Sequence, residues 1–275
     1  MPQFVSLNQQ LCVAEEAFLP AVSSAAFYGR GIFTTVAIYN SKLFQWEKHW
    51  TRLNENAEKI KLDLSEYDNQ IVIQNLAQTI EKNRLANGRA RLTFFDESSN
   101  RLWQTKLKSR TSFLIVTGEL PAASSNFSLT ISDFRIYSAS PLAGVKSCNY
   151  LENILSLENA RGEKFDEAIR LNERDEIVCA LMANIFWVKN GDIFTPSLET
   201  GCLKGTTRSF VLENFAVKEI KASIEELNEA NEIFLTSAGI GISNVKNVNE
   251  KLFNYETTEK IQAEFFRRAA IEARS

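Results

Sequence analysis

Histidine is almost absent from this chain: among 275 residues there is one, His49. A metal site built on clustered histidines is thereby excluded, and any Ser-His-Asp group would have to use that single residue. The four cysteines, Cys12, Cys148, Cys179 and Cys202, are scattered, with no C-x-x-C pair. Neither a zinc-binding nor a disulfide framework is expected from them. An excess of positive charge is missing as well. Lys and Arg number 31 against 34 Asp and Glu, a formal net charge of -3, which leaves no broad basic face for nucleic acid. No apolar run approaches the roughly 18 residues of a spanning helix. The opening MPQFVSLNQQ lacks the basic and apolar regions of a secretion signal. Internal repeats and low-complexity tracts are also lacking. These absences predict a reduced, soluble, cytoplasmic protein with no metal, nucleic-acid or membrane partner.

What is present is ample core material: 44% of residues are hydrophobic and 24% charged, and the length suits two domains. Residues 33–39 (FTTVAIY) are β-branched and aromatic, Asn40-Ser41 suggests a turn, and 42–46 returns as a second strand. Trp50, Leu53, Ala57 and Ile60 recur at three- and four-residue intervals, which predicts an amphipathic helix over 47–62. Ile71, Ile73, Leu76 and Ile80 predict another over 65–84. Residues 89–95 and 112–117 read as strands. The stretch 118–127 (GELPAASSNF) has no periodicity and is taken as an interdomain loop between an N-terminal domain, 1–117, and a C-terminal domain, 128–275. The second half begins with a strand over 128–136 and a helix from about 149 to 163. Short strands follow at 167–171, 177–179, 185–188 and 192–194. A helical pattern then runs from Gly205 to Ala216, with a strand at 232–236 and a terminal helix over 257–273. The class is α+β.

Three places carry candidate chemistry. Lys146 follows an apolar approach (PLAGV) and precedes a helix, a setting in which an ammonium pKa can fall and a neutral amine become available for Schiff-base formation. A solvated lysine at a helix start fits the same context. Gly205-Thr206-Thr207-Arg208 opens a helix, where backbone N–H groups and threonine hydroxyls suit a phosphate; an ordinary cap would look alike. Thr236-Ser237-Ala238-Gly239 ends an apolar strand in a second small-residue bend, which is also compatible with a plain turn.

The order of these pieces is informative. Tyr28-Gly29-Arg30-Gly31-Ile32-Phe33-Thr34-Thr35, then His49-x-x-Arg52-Leu53, resembles the N-terminal signature of the fold-type-IV pyridoxal-phosphate enzymes. Lys146-x-x-Asn149-Tyr150-Leu151, Asp166-Glu167-Ala168, Leu171-Asn172 and Ala183-Asn184-Ile185-Phe186 continue it. Gly201 to Arg208 and Phe234-Leu235-Thr236-Ser237 complete a series over about 23–250. The family holds branched-chain aminotransferases, D-amino acid aminotransferases and 4-amino-4-deoxychorismate lyases. The resemblance implies a two-domain α+β fold of the class-IV aminotransferase type, pyridoxal 5'-phosphate in the interdomain cleft, an amino-acid-like substrate and a homodimer. Lys146 matches the lysine that condenses with the cofactor aldehyde and later moves protons at the substrate α-carbon. Arg52 matches the phosphate-binding arginine, with His49 as a structural partner of that segment. Tyr150 matches the tyrosine on the cofactor's phenolic oxygen. Thr206 and Thr207 match one phosphate loop, Ser237 and Ala238 the other, and Asn184 a structural position behind the ring.

Departures from the family pattern bear on the reaction. Counting back five residues from Asn184 puts Cys179 where the family carries a glutamate against the pyridine nitrogen; a neutral thiol supports a protonated ring poorly. Glu176 could take the role after local realignment, leaving Cys179 to packing. The family's basic residue in the strand 34–39 is Ala37 here, and its arginine at the end of the strand 91–96 reads Phe95-Asp96. Arg30 and Arg101 are the candidate replacements, with Tyr28 beside them on the substrate side; both arginines also suit a solvated surface. The Thr34-Thr35 pair resembles the aminodeoxychorismate lyases, in which the second threonine lies near the reacting carbon. Two threonines also simply favour a strand. Thr35 and Cys179 together favour a lyase that forms 4-aminobenzoate and pyruvate, a step of folate biosynthesis. Transamination of D- or branched-chain amino acids is the alternative, and cofactor binding with weak catalysis is the second.

Overall fold

The computed structural model describes residues 3–98, 110–119 and 126–272. Arg101 and most of the loop expected at 118–127 lie outside the described residues. Contacts divide the chain into two units. One comprises Met1–Leu120, Val145–Asn149 and Ala270–Ser275, and the other Pro121–Gly144 and Tyr150–Ala269. The segment that bears Lys146 therefore belongs to the same unit as the first 120 residues.

The first unit is built from β1 (Phe4–Leu7), β2 (Gln10–Val13), α1 (Ser24–Tyr28), β3 (Gly31–Tyr39), β4 (Lys42–Leu43), α2 (Trp46–Lys59), α3 (Asn69–Lys82), β5 (Gly88–Asp96) and β6 (Thr111–Gly118). Its sheet runs in the order β2-β1-β6-β5-β3-β4, with every pairing antiparallel. Asn40 and Ser41 both adopt positive φ, 49° and 62°, the geometry of a tight hairpin whose twist matches its strands. α2 turns Trp46, Leu53 and Ala57 into a core shared with Val36 and Ile38 of β3 and Leu92 of β5. α3 begins at Asn69 rather than near Ser65, because the Asp68 side chain accepts the Ile71 N–H at 2.7 Å and caps the helix there. The β1–β2 hairpin has no counterpart in the sequence reading. Four-residue strands are too short to display a period, and what recruits them is the addition of β1 to β6.

The second unit contains β7 (Asn126–Ile131), α4 (Leu151–Gly162), β8 (Glu167–Leu171), β9 (Ile177–Ala180), β10 (Asn184–Lys189), β11 (Asp192–Pro196), α5 (Thr206–Asn214), β12 (Val217–Ile220), β13 (Glu232–Ser237), β14 (Gly241–Val248), β15 (Lys251–Leu252) and α6 (Glu256–Glu272). The strand order is β12-β11-β10-β13-β14-β7-β8-β9, with β15 on β14. Leu129, Ile169, Ile185, Trp187, Ile233, Leu235 and Val245 form its core, all fully buried. β7 stops at Ile131, short of the expected 136: Ser132 Oγ accepts the Phe134 N–H at 3.1 Å and turns the chain. The polar β14 (GISNVKNV) escaped the sequence reading because it alternates weakly. It is held between β13 and β7. Two sheets flanked by helices make the class α+β, as expected. Among the described residues no helix is long and apolar enough to cross a membrane, and no group of His, Cys, Asp and Glu could hold a metal ion.

Candidate active site

In the first unit, backbone pairing fixes Lys146. The Phe33 N–H donates to the Lys146 carbonyl at 2.9 Å and the Cys148 N–H to the Gly31 carbonyl at 2.8 Å, with Ile32 and Ser147 as antiparallel partners. Residues 146–148 thus extend the start of β3. Gly31 is required there, since a Cβ would lie 2.8 Å from the Phe94 carbonyl oxygen. The Lys146 ammonium stands 4.5 Å from the centroid of the Phe33 ring. The Arg91 guanidinium lies 3.6 Å from the same centroid, a cation–π distance for both. Alternation along β3 puts Thr35 on the face of Phe33, and Thr35 is the register partner of Arg91 on β5. Lys146, Phe33, Thr35 and Arg91 therefore share one face. Burial pushes the Cys148 thiol upward against the pull of Arg91.

Thr34 points the other way and is fully buried. Its Oγ1 lies 2.7 Å from His49 Nδ1 and accepts from Arg52 Nη2 at 2.8 Å. His49 and Arg52, three residues apart on α2, meet it from one helix face.

In the second unit, Asn184 links the two candidate phosphate loops. Its Nδ2 donates to the Leu203 carbonyl at 2.8 Å, and its backbone is in register with Thr236. Gly205 is the N-cap of α5 and supplies no side-chain cap; a Cβ there would collide with Asn184 Oδ1. Thr206 and Thr207 are buried in the first turn, and Thr236 Oγ1 is buried with no hydrogen-bond partner. An uncapped helix N-terminus and an orphaned hydroxyl, both adjoining Asn184, are donor chemistry suited to a phosphate dianion. Ser237 and Ala238 follow in the half-buried bend after β13, closed by the Ile240 N–H on the Ser237 carbonyl. The residues present fit the phosphorylated cofactor that the sequence resemblance implies.

The bend between β9 and β10 is held by a carboxylate to which the sequence pattern assigned no role. Glu167, 4% exposed, accepts the N–H groups of Leu181 at 2.9 Å, Met182 at 3.1 Å and Ala168 at 3.2 Å. Burial outweighs these bonds and pushes its carboxyl up to about 7. The Leu181 carbonyl accepts from Asn153 Nδ2 at 2.5 Å and the Tyr150 hydroxyl at 3.5 Å. Cys179, half-buried on β9, faces Arg170 in register. Glu176 is held elsewhere, by Asn172 Nδ2 at 2.6 Å and Arg174 at 3.0 Å, and Arg174 draws its carboxyl below the usual range.

The candidate substrate residues fare differently. Arg30 pairs with the buried Asp96 at 3.1 Å and donates to the Lys61 carbonyl at 2.8 Å. It neutralises the very residue that stands in the expected arginine slot. Tyr28 is exposed at the end of α1, edge-on to Phe27. Arg91 lies on the Lys146 face but in the middle of its strand, away from the strand end where the family pattern carries its arginine, and its pairing with Thr35 appears only in the register.

A sequence profile of the family described as amino-transferase class IV matches residues 31–248. An aminodeoxychorismate lyase of Bacillus subtilis is 24% identical over 268 residues, 94% of this chain and 91% of its own. A D-alanine aminotransferase of Listeria monocytogenes is 24% identical over 258 residues, 89% and 87% of the two chains. The solved structure of the branched-chain aminotransferase from Thermoproteus uzoniensis with norvaline matches with a TM-score of 0.90 at 24% identity, covering 96% of this chain and 94% of that one. At that identity the likeness shows the fold.

A buried carboxyl raised from 4.5 to about 7 gives the folded state a proton that the unfolded state lacks between those values. Its contribution to stability is complete below about pH 4.5 and is lost as pH rises through 7. Denaturant titrations at pH 5 and pH 8 should show the wild-type chain losing about 2 kcal/mol or more beyond Glu167→Gln over that interval. Equal slopes would mean that Glu167 ionises like a surface carboxylate.

Proposed function

This chain belongs to the class-IV aminotransferases, a family of pyridoxal-phosphate-dependent enzymes, and on that premise we propose a 4-amino-4-deoxychorismate lyase that releases 4-aminobenzoate and pyruvate. The observation that carries the reading is the shared face of Lys146, Phe33, Thr35 and Arg91. When bound, pyridoxal phosphate supplies an electron sink that acidifies the substrate α-carbon. The Lys146 amine anchors the cofactor and, once released by substrate, takes the α-proton. Thr35, on the same face, assists proton transfer at the reacting carbon. Arg91 receives a substrate carboxylate through its planar fork, a role that Arg30 does not fill while it is paired with Asp96. Arg52, Thr206, Thr207, Ser237 and Ala238 hold the phosphate, and Tyr150 the phenolic oxygen. Cys179 stands at the ring nitrogen in place of a carboxylate, which weakens the sink and favours elimination over transamination. We place the enzyme in the cytoplasm as a homodimer; the exposed Leu151, Ile154 and Leu155 of α4 form an apolar stripe that a second copy would cover.

The D-alanine aminotransferase of Listeria and the branched-chain enzyme of Thermoproteus support a second reading in which the same residues perform transamination. A bound form with weak catalysis is a third, resting on Cys179. One preparation separates them. The holoenzyme should show an absorbance band that borohydride abolishes, and Lys146→Ala should lack it. Pyruvate release from aminodeoxychorismate, with no conversion of the cofactor to its amine form by a panel of D- and L-amino acids, supports the lyase. Conversion without pyruvate release establishes the aminotransferase instead.

Two substitutions test individual roles. Arg91→Gln should raise KM about tenfold or more with a smaller change in kcat, the loss of one charged hydrogen bond made equally to substrate and transition state. An unchanged KM removes Arg91 from substrate binding. Cys179→Glu should raise the pKa of the cofactor ring and shift the pH dependence of its absorbance, at about 1.4 kcal/mol per pKa unit. An unaltered titration removes Cys179 from the ring nitrogen.

A further inference from the structure

Arginine brings five donors in a rigid plane, and that plane must be aimed before a dianion can use it. α2 places His49 and Arg52 three residues apart on its buried face, and alternation in β3 turns Thr34 toward them, away from Phe33 and Thr35. Thr34, His49 and Arg52 are 0%, 1% and 6% exposed. Donor bookkeeping fixes one link of the chain they form. A guanidinium only donates, so the Thr34 oxygen accepts from Arg52 Nη2 at 2.8 Å. A relay toward the arginine requires the single hydroxyl proton to go to His49 Nδ1, 2.7 Å away. In that arrangement Nδ1 accepts and the ring proton sits on Nε2. Burial, with the nearby charges of Arg52 and Lys146, holds this imidazole neutral well below its usual range, so it stays an acceptor at physiological pH.

We propose that Thr34 and His49 are positioning residues: a buried hydroxyl–imidazole relay that fixes the plane of the Arg52 guanidinium for the cofactor phosphate. The proposal rests on the reading of Arg52 as a phosphate ligand. Its physical content is that a neutral acceptor orients the fork without cancelling the charge, as a carboxylate in the place of Thr34 would do. Thr34 thereby differs in task from Thr35, although the two are adjacent in sequence. His49 does no proton transfer in this scheme; it keeps the hydroxyl pointed away from the arginine.

The test uses the apo form of the full chain and two probes, pyridoxamine phosphate and pyridoxamine. Neither can condense with Lys146, and they differ only in the phosphate. Affinities are read by equilibrium dialysis. Thr34→Val and His49→Leu should each weaken pyridoxamine phosphate about tenfold, the loss of one hydrogen bond to a charged group, and leave pyridoxamine unchanged. Thr34→Ser, which keeps the hydroxyl, should stay close to wild type. If Thr34→Val does not fold, His49→Leu carries the comparison by the same readout. Wild-type affinity in both deletions, with Arg52→Lys weakened tenfold, would overturn the relay while leaving the arginine's role intact. Equal weakening toward both probes would overturn it too, since a general disturbance does not discriminate by phosphate. Wild-type affinity in Arg52→Lys would sink the phosphate reading and the relay together.

Discussion

The antiparallel bonding of residues 146–148 to the first residues of β3 is the constraint on which the chemistry of the first unit depends. More than 100 residues separate the two segments in the chain, and two backbone hydrogen bonds of 2.9 and 2.8 Å bring them into register. Backbone pairing of this kind is insensitive to side-chain identity but strict about phase. A shift of one residue would turn Lys146 away from Phe33. The lysine's setting thus starts from sheet geometry, and the glycine at position 31 is the local condition for it.

From that register follows a division of labour between the two faces of one strand. Phe33 and Thr35 look toward Lys146 and Arg91, while Thr34 looks toward His49 and Arg52. The strand separates the face proposed for substrate from the face proposed for anchoring, with one peptide unit between them. Arg30 and Asp96 illustrate the same economy. The aspartate that stands in the place of the family's arginine is buried at 0% exposure and would be costly alone. Its partner is Arg30, one of the two arginines that the sequence resemblance offered for substrate.

In the second unit the corresponding task falls to buried polar groups. Asn184 ties the approach to α5 to β13, and Glu167 ties the bend after β9 to β8. Both are short side chains that satisfy backbone donors or carbonyls which irregular segments would otherwise leave unpaired. Stiff bends of this sort are what a phosphate-binding surface needs, because the donors must be in place before the dianion arrives.

Much was legible in the residues alone. Periodicity located α2, α3, β3, β5 and β13 to within a few positions, because each has a buried face long enough to display its repeat. The series from Tyr28 through Lys146 and Gly205 to Ser237 identified the family, since spacing and order survive where identity has drifted to about a quarter. The β1–β2 hairpin, β14 and the roles of Arg91, Thr34 and Glu167 were not legible. In each, the deciding fact is a partner outside the element itself: β6 for β1, β7 for β14, Phe33 for Arg91, α2 for Thr34, and the 181–182 N–H groups for Glu167. The chain's own order determined which chemical groups exist and roughly on which elements they ride. Only the tertiary pairing decided which of them meet, because the side-chain direction of a strand residue has meaning only once its register against a remote segment is set.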